Sequence, residues 1–163
     1  MDASYASRSG PQAGYRPCVG LMLVNPAGLL FIGERRGLVN AWQMPQGGID
    51  PGEDPRAAAR RELREEVGTG RAELLAESRY WYAYDLPPES CPARWQGRYR
   101  GQSQKWFAFR FTGTDADIDV AGQEPEFVRW RWARPHEVLQ LAVDFKRPIY
   151  RAVLEEFRDL LPG

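Results

Sequence analysis

Glu62, Glu65 and Glu66 are the residues whose types and spacing are best suited to chemistry. On a helix turning about 100° per residue, Glu66 lies about 40° from Glu62 and Glu65 about 60° to its other side, so one face carries all three carboxylates. Ala59, Leu63 and Val67 form the adjoining apolar stripe, with Ala58 among the acids. The acids therefore line the edge of a core, while Arg60 and Arg64 point into solvent. Most charge runs are merely solvated helix faces, and Arg61 does stand four residues before Glu65. Glu62 and Glu66, however, have no basic residue three or four places away in either direction. Their repulsion costs about 0.2–0.5 kcal/mol on an exposed helix, and more when partly buried. A divalent cation removes that cost. Oxygen ligands without His or Cys favour a hard ion such as Mg2+ or Mn2+.

The segment leading into this helix is Pro45-Gln46-Gly47-Gly48-Ile49-Asp50-Pro51-Gly52-Glu53. Glycines let backbone groups approach a ligand closely, and a helix N-terminus favours anions. Glycine-rich turns are common, so the loop alone says little. The complete spacing is far more specific. Gly47 is followed by five residues and Glu53, then by seven more before Arg61-Glu62-Leu63, Arg64, Glu65-Glu66, Val67 and Gly68. This pattern resembles the Nudix box. Thr69 stands where that family usually has an aliphatic residue, a departure that concerns packing at the helix end.

The resemblance implies an α/β fold, an α/β/α sandwich with a mixed sheet between helices. It implies hydrolysis of a nucleoside diphosphate linked to another group. Glu62, Glu65 and Glu66 are then the expected metal ligands, with the Gly47 carbonyl as a further one. Mg2+ is the expected ion, with Mn2+ or Zn2+ as substitutes. Glu53 is expected to pair with Arg61 and brace the loop, a structural role. Divalent ions would neutralise the polyphosphate and acidify a bound water, whose proton a nearby carboxylate can take. Glu126, which opens a strand beyond an acidic loop, is the first candidate for that base or for an extra ligand. Glu65 is the second, and Glu66 is counted with them among the catalytic carboxylates.

Further stretches are similar to one subgroup, the bacterial RNA pyrophosphohydrolases, also described as dinucleoside polyphosphate hydrolases. They are Gly14-Tyr15-Arg16-Pro17, Trp42-Gln43-Met44-Pro45-Gln46-Gly47-Gly48, Gln104-Lys105-Trp106-Phe107 and Phe145-Lys146-Arg147. The resemblance covers residues 14–160. It implies phosphate contacts from Arg16, Arg36, Lys105 and Lys146, and a base pocket in which Phe145 stacks. Ala41 stands where some members carry a serine, so one hydroxyl contact to phosphate is missing. Plain alternatives exist for single residues: Trp42 as packing, Lys105 as a guard on an edge strand, and His136 as a surface residue. Two substrates follow, the 5′-triphosphate end of RNA and diadenosine tetraphosphate. A non-catalytic nucleotide-binding module is the contrasting reading, disfavoured because the box is intact.

The elements that must position these groups are also legible. Cys18–Val24 and Leu29–Gly33 are apolar runs separated by Asn25-Pro26-Ala27-Gly28, two strands and a tight turn. Trp42–Met44 suits a short strand. Asp54 caps the carboxylate helix, Pro55 occupies its first position and Gly68 ends it. Tyr80–Leu86, Trp106–Thr112 and Phe127–Trp132 read as strands, Pro135–Ala142 and Pro148–Leu161 as helices, and residues 87–104 as a long loop.

The 163 residues fit one domain, with residues 1–14 a flexible N-terminal tail and residues 15–163 a single Nudix hydrolase domain. Twenty-two basic residues balance 22 acidic ones, which excludes a generally basic nucleic-acid coat. The balance hides segregation. Residues 90–114 contain five bases (Arg94, Arg98, Arg100, Lys105, Arg110) and no acid, and residues 115–126 five acids (Asp115, Asp117, Asp119, Glu124, Glu126) and no base. Trp95 and Tyr99 interleave with the arginines, a mixture that suits single-stranded RNA. Two cysteines and one histidine make a disulfide framework or structural zinc site improbable and favour a reducing, cytoplasmic setting. No apolar run is long enough to cross a membrane. Expected partners are RNA 5′ ends or dinucleoside polyphosphates, with no membrane and no DNA; no oligomeric state is implied.

Overall fold

The computed structural model describes residues 5–122 and 125–161. In chain order the elements are β1 (Ala6–Ser7), β2 (Tyr15–Val24), β3 (Leu30–Arg35), β4 (Trp42–Gln43), β5 (Gln46–Gly48), α1 (Pro55–Val67), β6 (Ala72–Asp85), β7 (Gly101–Phe111), β8 (Phe127–Ala133), α2 (Pro135–Leu141) and α3 (Arg147–Glu156). The strands form one mixed sheet in the order β1-β6-β7-β2-β3-β4. β2 and β7 run parallel from Tyr15 opposite Gly101 to Val24 opposite Arg110. β2 and β3 share only the Val24–Leu30 register pair, and β5 takes the β2 edge at Cys18–Gly20 instead. β3 continues through β4 and β8. The sheet thus splays beside β5, and that opening holds the site.

Strand alternation divides the core between two layers. Val19, Leu21 and Leu23 of β2 and Phe107, Phe109 and Phe111 of β7 pack with Ala58, Ala59, Leu63 and Val67 of α1. Met22 and Val24 of β2 and Trp106 and Ala108 of β7 pack on the other side with Ile149, Tyr150 and Val153 of α3. Helices cover both faces, which is the expected α/β/α sandwich. β2 is buried on both sides, so its sequence runs apolar without alternating.

Several boundaries differ from the sequence reading. Within the expected tail, Ala6 and Ser7 pair with Tyr82 and Trp81, while residues 1–4 lie outside the described residues. β6 starts at Ala72 rather than Tyr80. Register shifts at Leu74/Ala76 and Glu77/Trp81 break the alternation that would have marked its start. β7 begins at Gly101, not Trp106, because Gln102, Ser103 and Gln104 are buried despite being polar. The irregular loop is therefore residues 86–100. α3 ends at Glu156, and a separate tight turn follows at Arg158–Leu160. β5 was expected as loop, since Gln46-Gly47-Gly48 carries no strand propensity.

Candidate active site

A cavity of about 860 Å3 opens where β2 and β3 diverge. Glu62, Glu65 and Glu66 of α1 enter it, with Glu126 from the segment before β8. α1 is set firmly for this task. The Asp54 carboxylate accepts from the Arg56 and Ala57 N–H groups at 3.1 and 3.3 Å. Gly68 closes the helix at φ 84°, in the left-handed region, donating to the Arg64 carbonyl.

The acids differ in environment. Glu62 and Glu66 are buried, whereas the Glu65 side chain is 58% exposed. Burial pushes Glu62 up to about 7, against the opposing pull of Arg61. Burial raises Glu66 well above the usual carboxylate range, and repulsion from Glu62 and Glu126 adds to it. The Gln46 N–H donates to Glu66 at 3.3 Å. A Cβ on Gly47 would overlap the Glu62 carboxyl, so glycine is required for β5 to lie against α1.

Arg61 organises the loop. It clamps Glu53 through Nε and Nη2, each at 2.9 Å, and Nη2 also donates to the Gly48 carbonyl at 2.9 Å. Nη1 reaches Glu62 at 2.8 Å and Glu65 at 3.3 Å. The clamp draws Glu53 down to about 2. The expected pair is thus present, and Arg61 additionally steadies two of the cavity carboxylates.

Basic groups line the same cavity as the acids. Arg16, half-buried on β2, lines it, as do Arg35, Arg94 and Lys146. Lys146 is buried and donates to Gln43 Oε1 at 2.6 Å. Burial and the nearby Arg35 bring its ammonium down to about 7. Phe145 lines the cavity with its ring stacked on Tyr84 at a centroid distance of 6.0 Å. Beneath them lies a buried amide network. Gln46 donates to Gln102 at 3.1 Å, Gln104 donates to Gln46 at 2.9 Å, and Tyr84 donates to Gln102 at 2.5 Å.

Two expected phosphate contacts are not among the lining residues. Lys105 lies on the β7 face that packs under α1, opposite to Gln102 and Gln104. Nor does it guard an edge, because β7 lies between β6 and β2. Arg36 is exposed and turned away; its Nε donates to the Pro125 carbonyl at 3.2 Å and its N–H to the Glu126 carbonyl at 2.8 Å. It steadies the segment that presents Glu126, and its neighbour Arg35 lines the cavity instead. Arg64, expected in solvent, is exposed at the cavity rim. Trp42 is buried, with the Arg129 guanidinium 5.2 Å above its ring. Ala41 lines the cavity and His136 is on the surface. Glu124, part of the acidic run, lies outside the described residues. Arg35, Gln43, Gln46, Gln102 and Tyr84 were not singled out from the sequence. Gln43 and Gln46 lie in a quoted stretch and Gln102 just before another, while Arg35 adjoins Arg36 and Tyr84 falls within the expected Tyr80–Leu86 strand.

The donor set fits a hard divalent cation. It is all oxygen, two of its carboxylates are buried with too little positive charge around them, and Gly47 leaves room for close approach. Among the described residues no three acidic, histidine or cysteine side chains already converge as a complete ligand set.

The NUDIX domain family matches residues 14–153. The chain is 55% identical over 146 residues to an RNA pyrophosphohydrolase of Roseobacter denitrificans, covering 88% of this chain and 91% of that protein. It is 46% identical over 159 residues to one of Rickettsia peacockii, covering 97% and 99%. Among solved structures, a C. elegans Ap4A hydrolase superposes with a TM-score of 0.64 at 16% identity, covering 88% of this chain and 98% of that one. An E. coli dihydroneopterin triphosphate pyrophosphohydrolase gives 0.62 at 15%, covering 91% and 99%. These two distant likenesses establish the fold. With the box in place and most of its length matched, the chain belongs to the NUDIX family.

Proposed function

We propose that this chain is a divalent-cation-dependent hydrolase that removes pyrophosphate from the 5′-triphosphate end of RNA, leaving a 5′-monophosphate. The observation that carries the reading is one cavity lined both by carboxylates, two of them buried, and by basic side chains suited to phosphate. The relatives named RNA pyrophosphohydrolase, at 46–55% identity, support the substrate. NUDIX hydrolases generally need divalent metals; Mg2+ is the ion proposed here, with Mn2+ or Zn2+ as substitutes. The free cysteines suit a reducing cytoplasm, and no helix among the described residues is long and apolar enough to cross a membrane.

Glu62, Glu65 and Glu66, with the Gly47 carbonyl, would hold the metal, and Glu126 is the nearest further carboxylate. When bound, a divalent ion neutralises phosphate charge and lowers the pKa of a water. Arg16, Arg35 and Lys146 bind the phosphates and orient the anhydride. Gln43 fixes the Lys146 ammonium. Phe145, braced on Tyr84, offers a face for a base. Glu126 takes the proton of the attacking water as its oxygen bonds to phosphorus. The anhydride P–O bond breaks and pyrophosphate leaves with the electron pair. Glu65 is the second candidate base, less favoured because Arg61 already engages it.

A competition assay tests the substrate. Triphosphorylated short RNA and diadenosine tetraphosphate, offered together with Mg2+, should yield mainly RNA monophosphate and pyrophosphate. Preferential release of ATP and AMP would replace the first substrate by the second. Glu66→Gln should abolish either reaction; equal background rates for both proteins would leave only a nucleotide-binding module.

A further inference from the structure

Glu34 does not line the cavity, yet it is a buried carboxylate near the end of β3, 7% exposed. Charged side chains are seldom buried without partners that satisfy them. Here Oε1 and Oε2 accept from Nε and Nη2 of Arg129, each at 3.0 Å, in a two-point grip. Oε2 also accepts the Asn40 N–H at 3.1 Å, where the chain turns through φ 59°. Glu34 thereby ties β3 both to β8 and to the turn that leads into β4.

The grip falls beside a break in register. Leu30 to Glu34 pair residue for residue with Ala133 to Arg129, but Arg35 then pairs with Phe127. Val128 is the extra residue of a β-bulge, and it is 51% exposed. Such a bulge changes the face taken by the side chains beyond it. Trp130 and Trp132 pack on the α1-side layer, and strict alternation would send Phe127 to the opposite one. Phe127 instead joins that same layer, where its ring fills the space that a Cβ on Gly33 would need. Glu126, its neighbour, lines the cavity, and the Glu126 carbonyl accepts the Arg36 N–H at 2.8 Å. The bulge thus sets where Glu126 leaves the sheet, and the bond from Glu34 to Arg129 fixes which residue bulges.

We propose that Glu34 is a positioning residue: held on Arg129 beside the bulge at Val128, it sets the placement of Glu126 in the cavity. This rests on the reading of Glu126 as the base. Register is the natural use of such a pair. A buried ion pair returns little net stability, whereas a slip of one residue would carry Phe127 and Glu126 to the wrong faces.

The test is hydrolysis of triphosphorylated RNA with Mg2+ by Glu34→Gln, alone and combined with Glu126→Gln. Single turnovers with excess enzyme read the slow variants. Glutamine keeps the size of the side chain and an acceptor for Asn40 but loses the two-point grip. Alone, Glu34→Gln should lower kcat about tenfold, with KM within about twofold. In the Glu126→Gln background the same change should cost less than about twofold, since the group it places is already gone. Arg129→Gln, at a side chain 62% exposed, breaks the grip from its other end and should repeat both results. An equal loss in the two backgrounds, or no loss in kcat, overturns the inference and leaves the functional reading standing. Glu126→Gln at the wild-type rate removes the base assignment and the inference with it, while the hydrolase reading stands. A wild-type chain that hydrolyses neither triphosphorylated RNA nor diadenosine tetraphosphate overturns the functional reading, and the inference falls with it.

Discussion

Glu62 and Glu66 have folded-state pKa values raised above those of an unfolded chain, Glu62 to about 7. For such acids the stabilising form is protonated. Their contribution is present below the ordinary glutamate value of 4.5 and is lost as pH rises, through about 7 for Glu62. The metal-free protein should therefore lose stability as pH rises from 6 to 8, while Mg2+ binds better at pH 8, where fewer protons must be displaced. We expect Mg2+ to raise Tm by about 5 °C more at pH 8 than at pH 6. Calorimetry at both pH values checks this, and Glu62→Gln with Glu66→Gln should flatten the dependence. Glu53 has the opposite sign. Its pKa is held at about 2, so its contribution is present above the ordinary value of 4.5 and fades as pH falls toward 2. Glu53→Gln should cost about 1–3 kcal/mol at pH 7, and the difference from wild type should shrink in acid. Urea unfolding at pH 7 and pH 3 reads it. A cost that does not depend on pH would mean that the Arg61 clamp does not act through charge.

At the scale of elements, α1 and β5 place the acids, and their precision comes from small residues. Asp54→Ala removes the cap and should cost about 1 kcal/mol while activity persists. Gly47→Ala should do the reverse. It forces a Cβ into the Glu62 carboxyl, so kcat with Mg2+ should fall at least about tenfold while far-ultraviolet dichroism and most of the stability remain. Steady-state kinetics and unfolding of the two variants separate placement from stability. α1 was legible to the residue because Asp54, Pro55 and Gly68 are local signals. Neither Lys105 nor Arg36 lines the cavity: Arg36 belongs to the turn after β3, and for Lys105 the face a side chain takes depends on register. Lys105 sits opposite Val19 and shares its α1-side face, whereas its neighbours Gln102 and Gln104 turn to the cavity side. One residue of register decides the matter, and no local pattern in Gly101–Lys105 announces it. The Gln46–Gln102–Gln104 network was equally hidden: three amides far apart in sequence are recognisable only once β5, β7 and β2 are paired.

For the whole molecule, zero net charge conceals a field with two poles. Glu62, Glu65, Glu66 and Glu126 bring negative charge to the cavity, and Arg16, Arg35, Arg94 and Lys146 bring positive charge to it. Other arginines are already committed: Arg100 to Asp85 at 2.7 Å and Arg129 to Glu34 at 3.0 Å. Long-range attraction for RNA should thus be weak, and the salt response should report only the few phosphates held in the cavity. For single strands each neutralised phosphate contributes about 0.7 to the logarithmic salt slope. Two or three contacts then predict that KM for triphosphorylated RNA rises about tenfold between 50 and 200 mM salt, at constant free Mg2+. Lengthening the RNA from three to twelve nucleotides should leave that slope unchanged, because the net-neutral surface beyond the cavity offers little additional attraction. Initial-rate kinetics across both variables decide it. A slope that steepens with length would show that the exposed Arg94 and Arg98 of the 86–100 loop gather downstream phosphates, making the loop an RNA track in addition to a cavity wall.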